Sequence, residues 1–135
     1  MVLLTEGRLG TFSSKTATSL VRYKRKEVVA VLDSTRAGEN LEDIIEIGEG
    51  IPILSSIEET LPLKPTALVL AVATVGGFIP DEWRCLIRAA IEGGLDIING
   101  MHVFLNDDPE LSRLATAAEV DIWDDERHEW MEILG

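Results

Sequence analysis

A chain of 135 residues with 46% hydrophobic and 27% charged side chains is long enough for one domain with a real core and too short for two. A net charge of −12 argues against nucleic acid or an anionic membrane as the main partner. No apolar run approaches the roughly 18 residues a membrane span needs. Cys85 is alone, which leaves no internal disulfide and fits a reducing cytoplasm, and MVLLTEG lacks the basic lead of a signal peptide.

The charge is uneven. Residues 1–36 carry seven Lys/Arg against three Asp/Glu, and residues 37–135 carry five against twenty-one. The basic start could serve a phosphate locally, while the acidic remainder reads as a solvated surface. The chain divides into a domain over residues 1–125 and an acidic amphipathic tail over 126–135, where Trp130, Met131, Ile133 and Leu134 recur at helical spacing.

In chain order, residues 2–5 form a short first strand and residues 6–12 a loop. Ser13 or Ser14 caps a helix over about 15–24, because a hydroxyl accepts from a free first-turn amide. Ala17, Leu20, Val21 and Tyr23 would face the sheet. Residues 28–32 are a second buried strand ending at Asp33, followed by a turn over Ser34 to Gly38. Leu41 to Ile47 is a short helix or an irregular cover. Residues 51–54 are a strand that Pro52 confines to an edge or a starting position. Ser55 or Ser56 caps a helix through Leu61.

Residues 67–73 are apolar on both faces, the pattern of a central parallel strand covered on both sides. Thr74 to Gly77 break that run. Pro80, Asp81 and Glu82 start a helix in which Trp83, Leu86, Ile87, Ala90 and Ile91 recur, and Gly93-Gly94 stops it. Residues 95–98 are the next strand. Pro109 opens a helix to about Glu119, residues 120–123 form a last strand, and the acidic stretch begins at Asp124. Strands alternating with helices give an α/β, three-layer Rossmann-like, doubly wound parallel sheet of about six strands in the order 3-2-1-4-5-6.

In such a fold the turns at the strand carboxyl ends line the ligand crevice. Gly10, Ser14, Lys15 and Thr16 sit at the first of these turns, where glycines and a helix start suit an anion. The spacing is neither G-x-G-x-x-G nor a Walker loop, so a degenerate phosphate site and a plain helix cap both stand. Asp33 lies 23 residues after Gly10, close to the spacing of a ribose-binding acid. It could equally make an Asx turn. Ser34 follows it, and Arg36 could take a phosphate or pair with Asp33. Thr74, Gly76 and Gly77 suit backbone closing over a ligand, or simply a turn. Asn99 and His102 end the next strand on the same edge. His102 with Asp107 and Asp108 is too loose for a metal site, and no metal is expected. Cys85 lies among core-facing helical residues and reads as packing. Neither a Ser-His-Asp set nor Tyr-x-x-x-Lys is identifiable.

The string itself carries a resemblance. Lys15-Thr16-Ala17 with Leu20 to Tyr23, Val31-Leu32-Asp33-Ser34 and Ala73 to Gly77 with Trp83-Arg84 are three of its landmarks. Residues 94–102, GLDIINGMH, and 105–111, LNDDPEL, are its most specific segments. Over residues 2–125 the chain resembles the N-terminal Rossmann-like domain of the DgcN-like family. That family was long a domain of unknown function and includes D-glutamate N-acetyltransferases. A P-loop-type domain follows in that family. The resemblance therefore implies an acetyl-CoA-using N-acetyltransferase whose P-loop-type half comes from a second domain or a partner chain.

These readings converge on a small-molecule-binding domain whose candidate cofactors are acetyl-CoA, a nucleotide or NAD(P). Ser14, Lys15 and Thr16 would take an anionic group, Asp33 a hydroxyl, and Thr74 to Gly77 would supply backbone contacts. A non-catalytic module that self-associates into a homo-oligomer through its apolar tail is the alternative. An NAD(P)-dependent oxidoreductase, with His102 as proton donor, comes third because the glycine fingerprint is missing.

Overall fold

The computed structural model describes residues 1–6, 15–70, 79–99, 105 and 108–124, with the side chains of residues 15–17 outside the description. Six strands form one sheet: β1 (Val2–Leu4), β2 (Ala30–Leu32), β3 (Ile53–Leu54), β4 (Ala67–Leu70), β5 (Asp96–Asn99) and β6 (Ile122–Asp124). The order is β3-β2-β1-β4-β5-β6, and every neighbouring pair is parallel. This is the expected Rossmann-like arrangement. The reason is visible in burial: β1, β2 and β4 are buried at every position, so each needs cover on both faces.

The cover comes as two layers. Alternate residues Val2, Leu4, Ala30, Leu32, Leu68, Leu70 and Ile97 pack against α3 (Ile57–Thr60), α4 (Asp81–Glu92) and α5 (Pro109–Ala118). The intervening Leu3, Val31, Ile53, Val69 and Ile98 pack against α1 (Lys15–Tyr23) and α2 (Leu41–Ile45). Side chains alternate across a strand with period two, so one apolar run fills both cores. Gly48, at φ +88°, closes the second core. A Cβ there would stand 2.6 Å from Leu41 Cδ2, so only glycine fits both the turn and the packing.

Several local expectations shift. Tyr23 is 73% exposed: Leu20 and Val21 already occupy the inward face, and two further residues carry the helix round to solvent. Cys85 is exposed rather than core-facing, because Trp83, Ile87, Ala90 and Ile91 define the buried stripe of α4 and Cys85 lies across the helix from them. Pro80 stands at the N-cap instead of in the first turn; its carbonyl accepts from Trp83 N and Arg84 N at 3.0 Å each. The second helix stops at Ile45 on the left-handed Glu46, short of the expected end at Ile47. Asp124, expected to open the acidic stretch, is the last residue of β6.

Pro52 fits its position. The strand it precedes, β3, is the sheet edge, and the chain folds back so that Asn40 bridges Pro52 antiparallel and Gly38 N donates to Ile53 O at 3.2 Å. The loop thereby covers a border that would otherwise expose unpaired backbone.

Candidate functional site

The register puts the strand ends level. Leu54, Leu32, Leu4, Leu70, Asn99 and Asp124 are successive partners across all six strands. One step further, Thr5 N donates to Leu32 O and Asp33 N to Leu54 O, at 3.1 and 3.0 Å. Thr5, Asp33 and Ser55 therefore form the next tier above the leucines. At the opposite border Val29 N meets Met1 O at 2.9 Å. The ends of β1, β2 and β4 thus share one rim, as a switch-point crevice requires.

Asp33 is fully buried. Its Oδ2 accepts from Thr5 Oγ1 at 3.2 Å, and its Oδ1 accepts from Thr35 N at 3.0 Å and Thr35 Oγ1 at 2.6 Å. The bonds from Thr35 make an Asx turn, and the bond from Thr5 ties β1 to β2. Ser34 turns outward and donates both its N–H (2.6 Å) and its hydroxyl to the Glu6 carboxylate. Arg36, for which the sequence left a phosphate or Asp33 as partner, pairs with Glu39 at 3.3 Å. Glu6 escaped the sequence reading because 28 positions separate it from Ser34; its place directly after a strand end was the available signal.

A second polar group closes the other half of the rim. Asn99 is fully buried, and its Nδ2 donates to Asp124 Oδ1 at 2.7 Å. The same oxygen accepts from Leu105 N at 2.8 Å, so β6 fastens the segment that follows β5. Asp108 caps α5, accepting from Glu110 N at 3.0 Å and Leu111 N at 3.1 Å. It also receives Arg84 through both terminal nitrogens. Glu110 Oε1 lies 3.6 Å from Arg84 Nη2 and 3.4 Å from Arg88 Nε. The start of α4 is thereby locked to the start of α5, and the two ends of the lock, Arg84 and Asp108, are both landmarks of the family resemblance.

The Arg84 guanidinium, helped by the Leu111 and Glu110 amides, holds the Asp108 carboxyl down at about 2 against an ordinary 3.8, burial opposing this. A depressed folded value stabilises the fold above the unfolded one and loses that stabilisation as pH falls through the folded one. Asp108→Asn, which keeps an oxygen for the cap, is expected to cost about 1 kcal/mol at pH 7, the size of a partly exposed pair. The difference from the wild-type chain should shrink between about pH 4 and pH 2. Urea melts across that range read it; a difference independent of pH would refute the assignment.

Of the expected site residues, Lys15 and Thr16 open α1, Asp33, Ser34 and Arg36 follow the end of β2, and Asn99 ends β5. Asp33 and Ser34 share one cluster with Thr5 and Glu6; Asn99 belongs to a separate one with Asp124. Gly10, Ser14, Thr74, Gly76, Gly77 and His102 lie outside the described residues, as do the tail residues Trp130 to Leu134. Among the described residues no helix is long and apolar enough to cross a membrane.

Comparison with known proteins gives these positions a context. A model of the domain-of-unknown-function family DUF1611_N, a Rossmann-like domain, matches residues 34–127. A D-glutamate N-acetyltransferase of Tritonibacter scottomollicae is 37% identical over 62 residues, 46% of this chain and 19% of that protein. The crystal structure of a DUF1611 family protein from Anabaena variabilis matches with a TM-score of 0.82 and 34% identity, over 91% of this chain and 35% of that one. A homoserine dehydrogenase from Thiobacillus denitrificans matches with a TM-score of 0.57 and 19% identity, over 91% and 28%, a likeness of fold alone. The chain spans well under two thirds of each of these proteins.

Proposed function

Since the chain belongs to the DUF1611_N family of Rossmann-like domains, we propose that it binds a small molecule of nucleotide or acyl-CoA type, as the counterpart of the N-terminal region of a D-glutamate N-acetyltransferase. The observation that carries this reading is the level rim, where the ends of β1, β2 and β4 adjoin and where Thr5, Glu6, Asp33 and Ser34 gather. On this reading the ligand's anionic group lies at Ser14, Lys15 and Thr16, and a hydroxyl lies at the β2 end. Thr74 to Gly77 supply backbone contacts, and Asn99 with His102 bounds the far side.

Acetyl transfer, in this proposal, needs a P-loop-type second half, and a reducing cytoplasm is the compartment in which it works. Calorimetry against acetyl-CoA, ATP, NAD, NADP and D-glutamate tests the binding. At least one ligand is expected to bind tighter than about 1 mM, a standard free energy of only about −4 kcal/mol. Failure of all five removes the site.

A second reading has its own observation: Trp123 is 40% exposed in β6, the strand at the other sheet border. An apolar side chain of that size on an edge suits a protein contact. Light scattering with and without residues 126–135 tests self-association through this end, and an identical monomer mass in both eliminates it.

A further inference from the structure

We propose that Glu6 is a specificity-determining residue of the site just described, and that the β2 end accepts a neutral hydroxyl-bearing group, such as an unphosphorylated ribose, and rejects a phosphate. This rests on the binding reading above and narrows its ligand class.

The argument is a count of donors in the turn after β2. A phosphate there would need N–H and O–H groups or a guanidinium. Ser34 N and Ser34 Oγ both donate to Glu6. Thr35 N and Thr35 Oγ1 both donate to Asp33 Oδ1. Arg36 N donates to Asp33 O at 3.2 Å, and the Arg36 guanidinium pairs with Glu39. The Ser34 and Thr35 donors all meet carboxylate oxygens of the chain, the Arg36 charge is paired with Glu39 through Nη1, and three carboxylates stand around the turn. An incoming phosphate would have to displace a carboxylate and then sit beside it as a like charge, which is unfavourable at such a separation even near the surface.

A hydroxyl meets the opposite situation. A carboxylate has about four lone-pair directions, and Ser34 uses two of those on Glu6. A ligand O–H can donate to what is left without breaking the Glu6–Ser34 contact. Glu6 is half-buried, which strengthens both the acceptance of the hydroxyl and the rejection of the anion relative to open water. The discrimination therefore comes from a repulsive element fixed by the fold. Its position is set by β1, whose register with β2 brings the residue after Thr5 over the residue after Asp33.

The test uses ligand pairs that differ by one ribose phosphate: NAD against NADP, and dephospho-coenzyme A against coenzyme A. Binding is measured by calorimetry on the wild-type chain and on Glu6→Gln, whose amide oxygen can still accept from Ser34, after thermal melts show the variant folded. The wild-type chain is expected to prefer the unphosphorylated member at least about tenfold in any pair that binds, and Glu6→Gln to cut that preference at least about threefold, each tenfold step being about 1.4 kcal/mol. A smaller wild-type preference overturns the inference while the binding reading survives. An undiminished preference in the variant removes Glu6 as its cause. If no member of either pair binds tighter than about 1 mM, this inference falls, and the binding reading falls with it only if acetyl-CoA, ATP and D-glutamate fail as well.

Discussion

Asp33→Ala is expected to lower the free energy of unfolding by about 2–3 kcal/mol, because it strands a buried partner as well as deleting a bond. The side chain bridges the ends of β1 and β2. Its loss leaves the Thr5 hydroxyl, itself fully buried, without the acceptor 3.2 Å away. The Asx turn formed through Thr35 is lost too. Asp33→Asn, which keeps an oxygen, should cost about 1 kcal/mol. Adding Thr5→Val to Asp33→Ala should recover about 1 kcal/mol, since the orphaned hydroxyl disappears. Urea titration of the wild-type chain, Asp33→Ala, Thr5→Val and the double variant closes the cycle. Strictly additive single effects would mean that Thr5 and Asp33 are not coupled.

The larger expected loss is in the core beneath. Leu4→Ala should cost about 3–4 kcal/mol and lower the melting temperature by about 10 °C. Leu4 is fully buried and stands between Leu32 and Leu70 on the adjoining strands, so rigid neighbours on both sides limit collapse into the cavity. Leu61→Ala, at a position 39% exposed, should stay within about 0.5 kcal/mol. Thermal and urea melts compare the two. A Leu4→Ala loss near that of Leu61→Ala would mean that the β1 end is not the packed centre.

The fold was legible because its signals are local. Val2 to Leu4 and Ala67 to Leu70 are apolar at every position, and that alone requires two covered faces. The helix stops and starts were readable for the same reason: Gly93-Gly94 and Asp108-Pro109 act within a turn. Phase around a helix was harder. Tyr23 and Cys85 are apolar enough to join a core, and only the positions of Leu20 and Val21, or of Trp83 and Ile87, turn them outward. The candidate site was legible in outline only. Asp33 announced itself by spacing, yet its two roles could not be separated without knowing that Thr5 lies beside it. Glu6 with Ser34, Asn99 with Asp124 and Arg84 with Asp108 are contacts between residues 24 to 28 positions apart. The first two exist because parallel strands finish level and the third because α4 and α5 start side by side, and no single stretch of sequence contains them.

The placement of β1 has a consequence for assembly. The earliest strand along the chain is an inner one, with β2 on one side and β4 on the other. During synthesis its first flank can be filled once Leu32 has emerged, but the second stays open until Leu70 does, several seconds later at about 5–20 residues per second. Through that interval the nascent half-sheet presents a bare, wholly apolar ribbon, the kind of border that recruits other chains. Crowded ribosomes and truncated transcripts should therefore be where this polypeptide is most prone to aggregate, well before any lesion in the finished molecule matters.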